Sequence, residues 1–441
     1  MPPIFSSQRF LLCLFIAYLL IEQHAARPVL YAALVDFTTW IDVIVGFVKQ
    51  LPSIITENLT PDVIANILDA YVSSKDNEDI RLNITQLLLK YAHSVEEHRV
   101  RTEDGYILGL FHIPRNGSVV FLMHGMLGSS DDWVTAGSET GLAYLLSEAG
   151  YDVWLGNARG NKHSRRHIRL TPASEQFWDF TWDEIGRLDL PIMIDYVLKE
   201  SNATQLKYIG HSQGTTTFFV MCSERPEYNE KVSLMVALSP VAWMSHVQSP
   251  LVQLVAPSGN LLYTVMQMFG HGEFLPENGV LSLMSRKICG QSTLAEILCN
   301  NVVFLICGFD LPQLNIINLP VIFSHTPSGA ATKQLLHYGQ GVLSGEFRQY
   351  DWGETGNFDH YGTREPPNYP VHKITAPVAL FYSDADWLAS PIDVQRLKEN
   401  LGNVVDYYKV PFKGFNHVDF VWAKDFKELI FRRIMTLLRK Y

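Results

Sequence analysis

Short, uninterrupted apolar runs recur along the middle of the chain and alternate with stretches whose apolar positions fall at helical spacing. Ser118 to Met123, Tyr151 to Leu155, Leu206 to Ile209 and Val232 to Leu238 read as strands buried on both faces, because one-sided burial would put a polar residue at every second position. Between them, Asp183 to Glu200 sets Leu188, Leu190, Ile194 and Val197 inward on a helix, and Thr215 to Cys222 continues as another. Such alternation predicts an α/β protein with a mostly parallel central sheet flanked by helices. Upstream, Thr102 to Pro114 alternates around an Asp104-Gly105 turn and predicts a hairpin at the sheet edge. The pattern lapses between about 245 and 344, where Met-, Phe- and Leu-rich segments such as Leu261 to Phe269 and Leu294 to Ile306 take over. It resumes with a strand Val378 to Tyr382, a helix from about Ile392, a strand Val405 to Val410 and a last helix from about Lys424 to Arg439. Residues 79–244 and 346–441 are therefore expected to form one core, interrupted by a cap or lid at 245–345. Apolar helices over a cleft mark a lipid-binding surface, or else an ordinary helical subdomain.

The amino-terminal pattern differs. Arg9 precedes an apolar run from Phe10 to Ile21 that ends in Glu22, Gln23 and His24 and then Ala25-Ala26, so residues 1–26 read as a signal peptide. Residues 27–78 read as a pro-segment or amino-terminal extension, since Asp36 and Asp42 interrupt the apolar stretch Val29 to Val48 and favour an amphipathic helix over a membrane span. Four glycosylation sequons, at Asn58, Asn83, Asn116 and Asn202, suit a secreted or lysosomal chain, although Pro61 weakens the first.

Composition is globular, with 47% apolar and 18% charged residues, and the formal net charge of −10 argues against nucleic acid as a partner. The basic run from Arg159 to Arg169, with Lys162, Arg165 and Arg166, reads as a solvated loop. No metal-ligand spacing is evident, and no cofactor is expected.

The candidate chemistry centres on Gly210-His-Ser-Gln-Gly214, a Gly-x-Ser-x-Gly core between a predicted strand and a predicted helix. In a nucleophile elbow the serine sits on a sharp turn, with glycines where a Cβ would strike the neighbouring backbone. The bare pattern arises by chance in roughly one chain in eight of this length, so its weight comes from what accompanies it. A serine hydroxyl needs an imidazole to take its proton and a carboxylate to fix that imidazole. Downstream, in the required order, Asp384 or Asp386 follows a late strand and His417 follows the last one. Upstream, the turn His124-Gly-Met-Leu-Gly128 closes a buried strand and can aim amides at an oxyanion.

From about Asp79 to the carboxyl terminus the chain resembles the acid lipase family of gastric, lysosomal and insect digestive lipases. The resemblance rests on Tyr91 to Pro114, His124 to Val134, Gly150 to Gly160, Phe177 to Phe180, Gly210 to Thr216, Ser324 to Gly329, Leu336 to Gly339, Tyr350 to Gly353, Asp386 to Ala389 and Asn416 to Phe420. It implies an α/β-hydrolase fold with Ser212 as nucleophile, Asp386 as acid and His417 as general base, and the amides of Met126 and Gln213 as oxyanion donors. It also implies a Cys289–Cys299 disulfide with Cys307 free, while Cys222 reads as a buried small apolar residue. Two positions depart from the family: Met126 stands where leucine is usual, and Ser383-Asp384 where glycine is usual. The implied function is hydrolysis of lipid esters, triacylglycerols or sterol esters, at an oil–water or membrane interface through an acyl-enzyme. A lipase-like lipid carrier without turnover, or an acyltransferase or peptidase on the same fold, are the alternatives.

Overall fold

The computed structural model describes residues 76–249, 252–253, 256, 272–274, 306–308, 310 and 312–441. The expected leader at 1–26, nearly all of the extension 27–78, Asn58, the Cys289–Cys299 pair and the segment Leu261 to Phe269 lie outside the described residues.

The strands are β1 (Glu96–Arg101), β2 (Tyr106–Ile113), β3 (Val119–Met123), β4 (Asp152–Gly156), β5 (Arg166–His167), β6 (Leu206–His211), β7 (Val232–Leu238), β8 (Glu273–Phe274), β9 (Ala330–Ala331), β10 (Val378–Tyr382) and β11 (Val404–Lys409). The main sheet runs in the order β1-β2-β4-β3-β6-β7-β10-β11, with β5 paired to β2. From β4 to β11 neighbouring strands are parallel, and β1 and β2 form an antiparallel edge. Every residue of β3, β4 and β6 is buried, which is why these strands carry continuous apolar runs. The hairpin forms, but β2 is buried on both faces: Leu108 and Leu110 enter one core cluster, Phe111 and Ile113 the other. Within the hairpin β1 is the edge strand, and its Glu96, Glu97, Arg99 and Arg101 are exposed.

The helices used below are α1 (Ile84–Lys90), α2 (Leu142–Glu148), α3 (Leu190–Glu200), α4 (Gln213–Glu224), α5 (Leu319–His325), α6 (Thr332–Ser344), α7 (Gly353–Tyr361), α8 (Pro391–Asn400) and α9 (Arg432–Lys440). Helix α3 is reached through a π turn, Ile185–Asp189, that follows a Thr181/Glu184 capping box. The wider turn rotates the register. Leu190, Ile194 and Val197 are buried as expected, but Leu188 is only half-buried and Asp189 points fully into the protein in its place.

That rotation overturns the reading of Arg159 to Arg169 as a solvated loop. The Arg159 guanidinium is buried, bonded to Asp189 Oδ1 at 2.8 and 2.7 Å and to Asp104 at 2.6 and 3.2 Å. Lys162 pairs with Asp131 at 2.6 Å and Arg165 pairs with Glu273. Arg166 and Arg169 are the exposed arginines of the run. Carboxylates on remote elements draw the run inward, and none of them is visible in its local composition.

Within 245–345, β8 and β9 pair in a small antiparallel sheet. Helix α6 packs on the core, with His337 stacked on Trp182 at 3.7 Å between ring centres and the Tyr338 hydroxyl 3.0 Å from Thr216 Oγ1. Among the described residues no helix is long and apolar enough to cross a membrane. Asn83, Asn116 and Asn202 are exposed, and the Cys222 and Cys307 thiols are free and buried.

Candidate active site

Ser212 terminates β6 and starts α4 at φ +52°, ψ −119°, a conformation that aims a side chain out of the turn. Two glycines permit it. A Cβ on Gly210 would lie 2.8 Å from the Gly214 carbonyl carbon, and one on Gly214 would lie 2.3 Å from the Met123 carbonyl oxygen. The second contact seats α4 directly against the end of β3.

The Ser212 hydroxyl is 2.7 Å from His417 Nε2. On the far side of the ring, Nδ1 lies 2.9 and 3.1 Å from the two oxygens of Asp386, which is fully buried. Asp386 Oδ1 also accepts from the amides of Leu388 and Ala389, each at 2.9 Å. Burial alone would raise the pKa of this carboxyl, but the His417 ring and the Ser239 and Ala389 donors hold it below the usual carboxylate range. Asp384, the rival acid, is half-exposed and pairs with Lys409 on the surface. Strand β10 ends at Tyr382, and the turn beyond it brings Asp386 rather than Asp384 to His417.

Residues that sequence reasoning did not single out complete the arrangement. Ser239 follows β7 at φ +53° and is fully buried. Its hydroxyl bonds Asp386 Oδ2 and lies 2.5 Å from His417 Nδ1. The available signal was its place: a polar residue directly after an apolar run, at the same sheet edge that carries Ser212 and Asp386. His211 Nε2 donates to the main-chain carbonyl of His417 at 2.9 Å. Burial, and then the neighbouring His417, push the His211 pKa down to about 3, so this ring stays neutral and acts as a fixed donor. The loop carrying His417 is further held by Asn416, whose Oδ1 accepts from the amides of Val418 and Asp419 at 2.9 and 3.1 Å.

The turn after β3 lies alongside. A Cβ on Gly125 would stand 3.1 Å from both Ser212 Cβ and His211 Nδ1, so a larger residue would crowd the nucleophile. His124 Nδ1 donates to the Gly125 carbonyl at 2.7 Å, and its Nε2 accepts from Ala158 N at 3.1 Å and Asn161 Nδ2 at 3.0 Å. Burial lowers its pKa to about 4, in keeping with that neutral tautomer. Leu127 adopts φ +63° and its carbonyl accepts from Ser328 N at 2.7 Å, which fastens the turn from behind. Among the described residues, the main-chain N–H groups of Met126 and Gln213 make no hydrogen bond. Free amides beside a nucleophile are what an oxyanion site requires.

A serine on a strained strand-to-helix turn, a histidine behind it and a buried carboxylate, on a mostly parallel sheet, define an α/β hydrolase. The family model for the alpha/beta hydrolase fold matches residues 118–424, and that for the partial alpha/beta-hydrolase lipase region matches 84–137. Lipase 1 of Drosophila melanogaster is 42% identical over 367 residues, covering 82% of this chain and 81% of that protein. The mouse gastric triacylglycerol lipase is 36% identical over 372 residues, 82% of this chain and 93% of that protein. The human lysosomal acid lipase/cholesteryl ester hydrolase is 36% identical over 373 residues, 82% and 92% respectively. The chain belongs to the acid lipase family, and it is an ester hydrolase.

Proposed function

We propose that the protein hydrolyses carboxylic esters of lipids, triacylglycerols or sterol esters, with Ser212 as nucleophile, His417 as general base and acid, and Asp386 as the group that orients His417. The observation that carries this reading is the continuous chain from Ser212 Oγ through both nitrogens of His417 to buried Asp386. His417 Nε2 takes the hydroxyl proton as Ser212 Oγ attacks the ester carbonyl, and the N–H groups of Met126 and Gln213 receive the oxyanion. His417 then returns that proton to the departing alcohol, leaving an acyl-enzyme. A water deprotonated by His417 attacks the acyl carbon, and the proton passes back to Ser212 Oγ as the fatty acid leaves. Asp386 remains a carboxylate throughout and stabilises the imidazolium.

Lipid substrate follows from the names borne by the gastric and lysosomal relatives, which describe triacylglycerol and cholesteryl ester lipases. The cap at 245–345 serves on this reading as the surface that meets an oil–water or membrane interface. Entry into the secretory pathway, with secretion or lysosomal delivery, fits the leader at 1–26 and the exposed sequons at Asn83, Asn116 and Asn202.

The test is labelling with an active-site phosphonate followed by a panel of triacylglycerol, cholesteryl and short soluble esters, each across pH. Wild type is expected to take one label per chain and to cleave the lipid esters, with Ser212→Ala doing neither. An unlabelled but folded wild type would point to a lipid carrier, and amide cleavage without ester cleavage to a peptidase.

A further inference from the structure

The edge hairpin, separated from β6 and Ser212 by β4 and β3, gathers a second set of chemically capable side chains. Glu96 and His98 are two residues apart on β1, so both project from one face, and the register pairs Glu96 with His112 of β2. One potential ligand atom from each of the three lies within 4.8 Å of the other two. Glu96 Oε2 is 3.3 Å from His98 Nε2 and 3.0 Å from His112 Nδ1. In a tetrahedral site with metal–ligand bonds of about 2.0–2.1 Å, adjacent ligand atoms stand about 3.3 Å apart. We propose that Glu96, His98 and His112 bind a divalent first-row transition metal ion, Zn²⁺ by preference, with solvent completing its coordination.

The surroundings fit ligation in detail. A metal-bound imidazole donates its remaining N–H to a partner that fixes its tautomer and orientation. His112, ligating through Nδ1, points Nε2 at Asp152 Oδ1, 2.7 Å away. Asp152 is itself held by Arg115 N, Trp154 Nε1 and Ser201 Oγ, each at 3.0 Å. His98, ligating through Nε2, has Nδ1 2.9 Å from the Tyr196 hydroxyl on α3. The ring of Trp154 stacks on His112 at 3.9 Å between centres and shields it from one side. Glu96 is exposed, with 54% of its side chain in solvent, and leaves an entry path.

Both nitrogens of His112 face carboxylates, so either a proton on each or a cation between Nδ1 and Glu96 keeps a ring lone pair from opposing a carboxylate oxygen. Imidazole and carboxylate ligands with solvent suit Zn²⁺, and the site lies on the edge hairpin, where His112 pairs with Trp154 of β4. Strands β4 and β3 stand between this hairpin and β6, which leads to Ser212, so the role of the site is to clasp β1 to β2 at the sheet edge rather than to act on the ester. The sequence predicted no metal because the ligands come from two strands whose register, not their spacing, brings them together.

The experiment uses the full chain, freed of metal by a chelator and dialysed against Zn²⁺, alongside Glu96→Gln and His98→Gln. Both substitutions lie on a solvent-facing strand, and hydrolysis of a soluble ester by the same samples reports that each is folded. Wild type is expected to hold one more equivalent of Zn²⁺ than either variant, and to gain ~2–5 °C in Tm with saturating Zn²⁺ where the variants gain none. Tyr196→Phe, which removes only the partner of His98, is expected to weaken binding about tenfold. Equal zinc content in wild type and both variants, or no zinc-dependent Tm difference between them, would overturn the proposal.

Discussion

Ser239 Oγ stands closer to His417 Nδ1 than either oxygen of Asp386 does, 2.5 Å against 2.9 and 3.1 Å. The hydroxyl accepts from the imidazole and donates to Asp386 Oδ2, so it bridges the two groups. Ser239→Ala removes both bonds while leaving Ser212, His417 and Asp386 in place. Loss of a hydrogen bond to a charged group costs about 1.5–3 kcal/mol, so kcat is expected to fall roughly 10- to 100-fold with little change in KM. Because the lost donor favoured ionised Asp386, the fall should deepen toward acid pH. A pH–rate profile parallel to that of wild type would reduce Ser239 to packing.

Asp386→Asn keeps the shape of the acid but offers His417 the wrong hydrogen-bond partner, and a loss approaching ~10⁴-fold in kcat is expected. Asp384→Asn touches only the surface pair with Lys409 and should stay within about twofold of wild type. Steady-state kinetics on a soluble ester decide between the two, and a crippled Asp384→Asn would move the assignment by two residues.

Arg159→Met takes from fully buried Asp189 the two bonds and the charge of the guanidinium, leaving it only the main-chain N–H of residue 159. Breaking a buried pair on one side costs about 3–5 kcal/mol. Urea unfolding should show that loss, and Arg159→Met combined with Asp189→Asn should recover part of it. If the double variant is no more stable than the single, the unpaired carboxylate is not what destabilises.

Stability should also depend on pH through Asp132. Burial, and then the adjacent Asp131, raise its pKa to about 7. The folded carboxyl thus keeps a proton that the unfolded chain releases near pH 4. This contribution is complete below that point, declines as pH rises toward about 7 and is flat above, to a total of up to ~4 kcal/mol. Asp132→Asn has no proton to release, so its unfolding free energy should lack this decline between pH 4 and 7. Denaturant titrations at intervals of one pH unit would show it, and parallel profiles would locate the titrating group elsewhere.

How much of this was legible in sequence depended on how local the cause was. Strands β7 and β10 have the ends that their apolar runs predict, since burial on both faces leaves no alternative pattern. The elbow was legible because two glycines and a serine at fixed spacing record a backbone constraint. Leu188 was misread because a π turn shifts register without changing composition, and Arg159 because its partners Asp104 and Asp189 lie on other elements. Ser239 and His211 went unnoticed for the same reason: each acts on His417, a residue far along the chain.

The neutral tautomers of His124 and His211 have a consequence for acidic surroundings. A histidine on an open surface becomes cationic as pH drops below about 6.5. His124 spends both nitrogens on the main chain and Asn161, His211 gives its Nε2 proton to a main-chain carbonyl, and the two rings remain uncharged until about pH 4 and pH 3. Acidification therefore adds no positive potential from either ring to the neighbourhood of Ser212, and the donors that shape the elbow and its facing turn keep their directions. In electrostatic terms, two of the rings packed around the nucleophile stay silent as the solvent turns acidic.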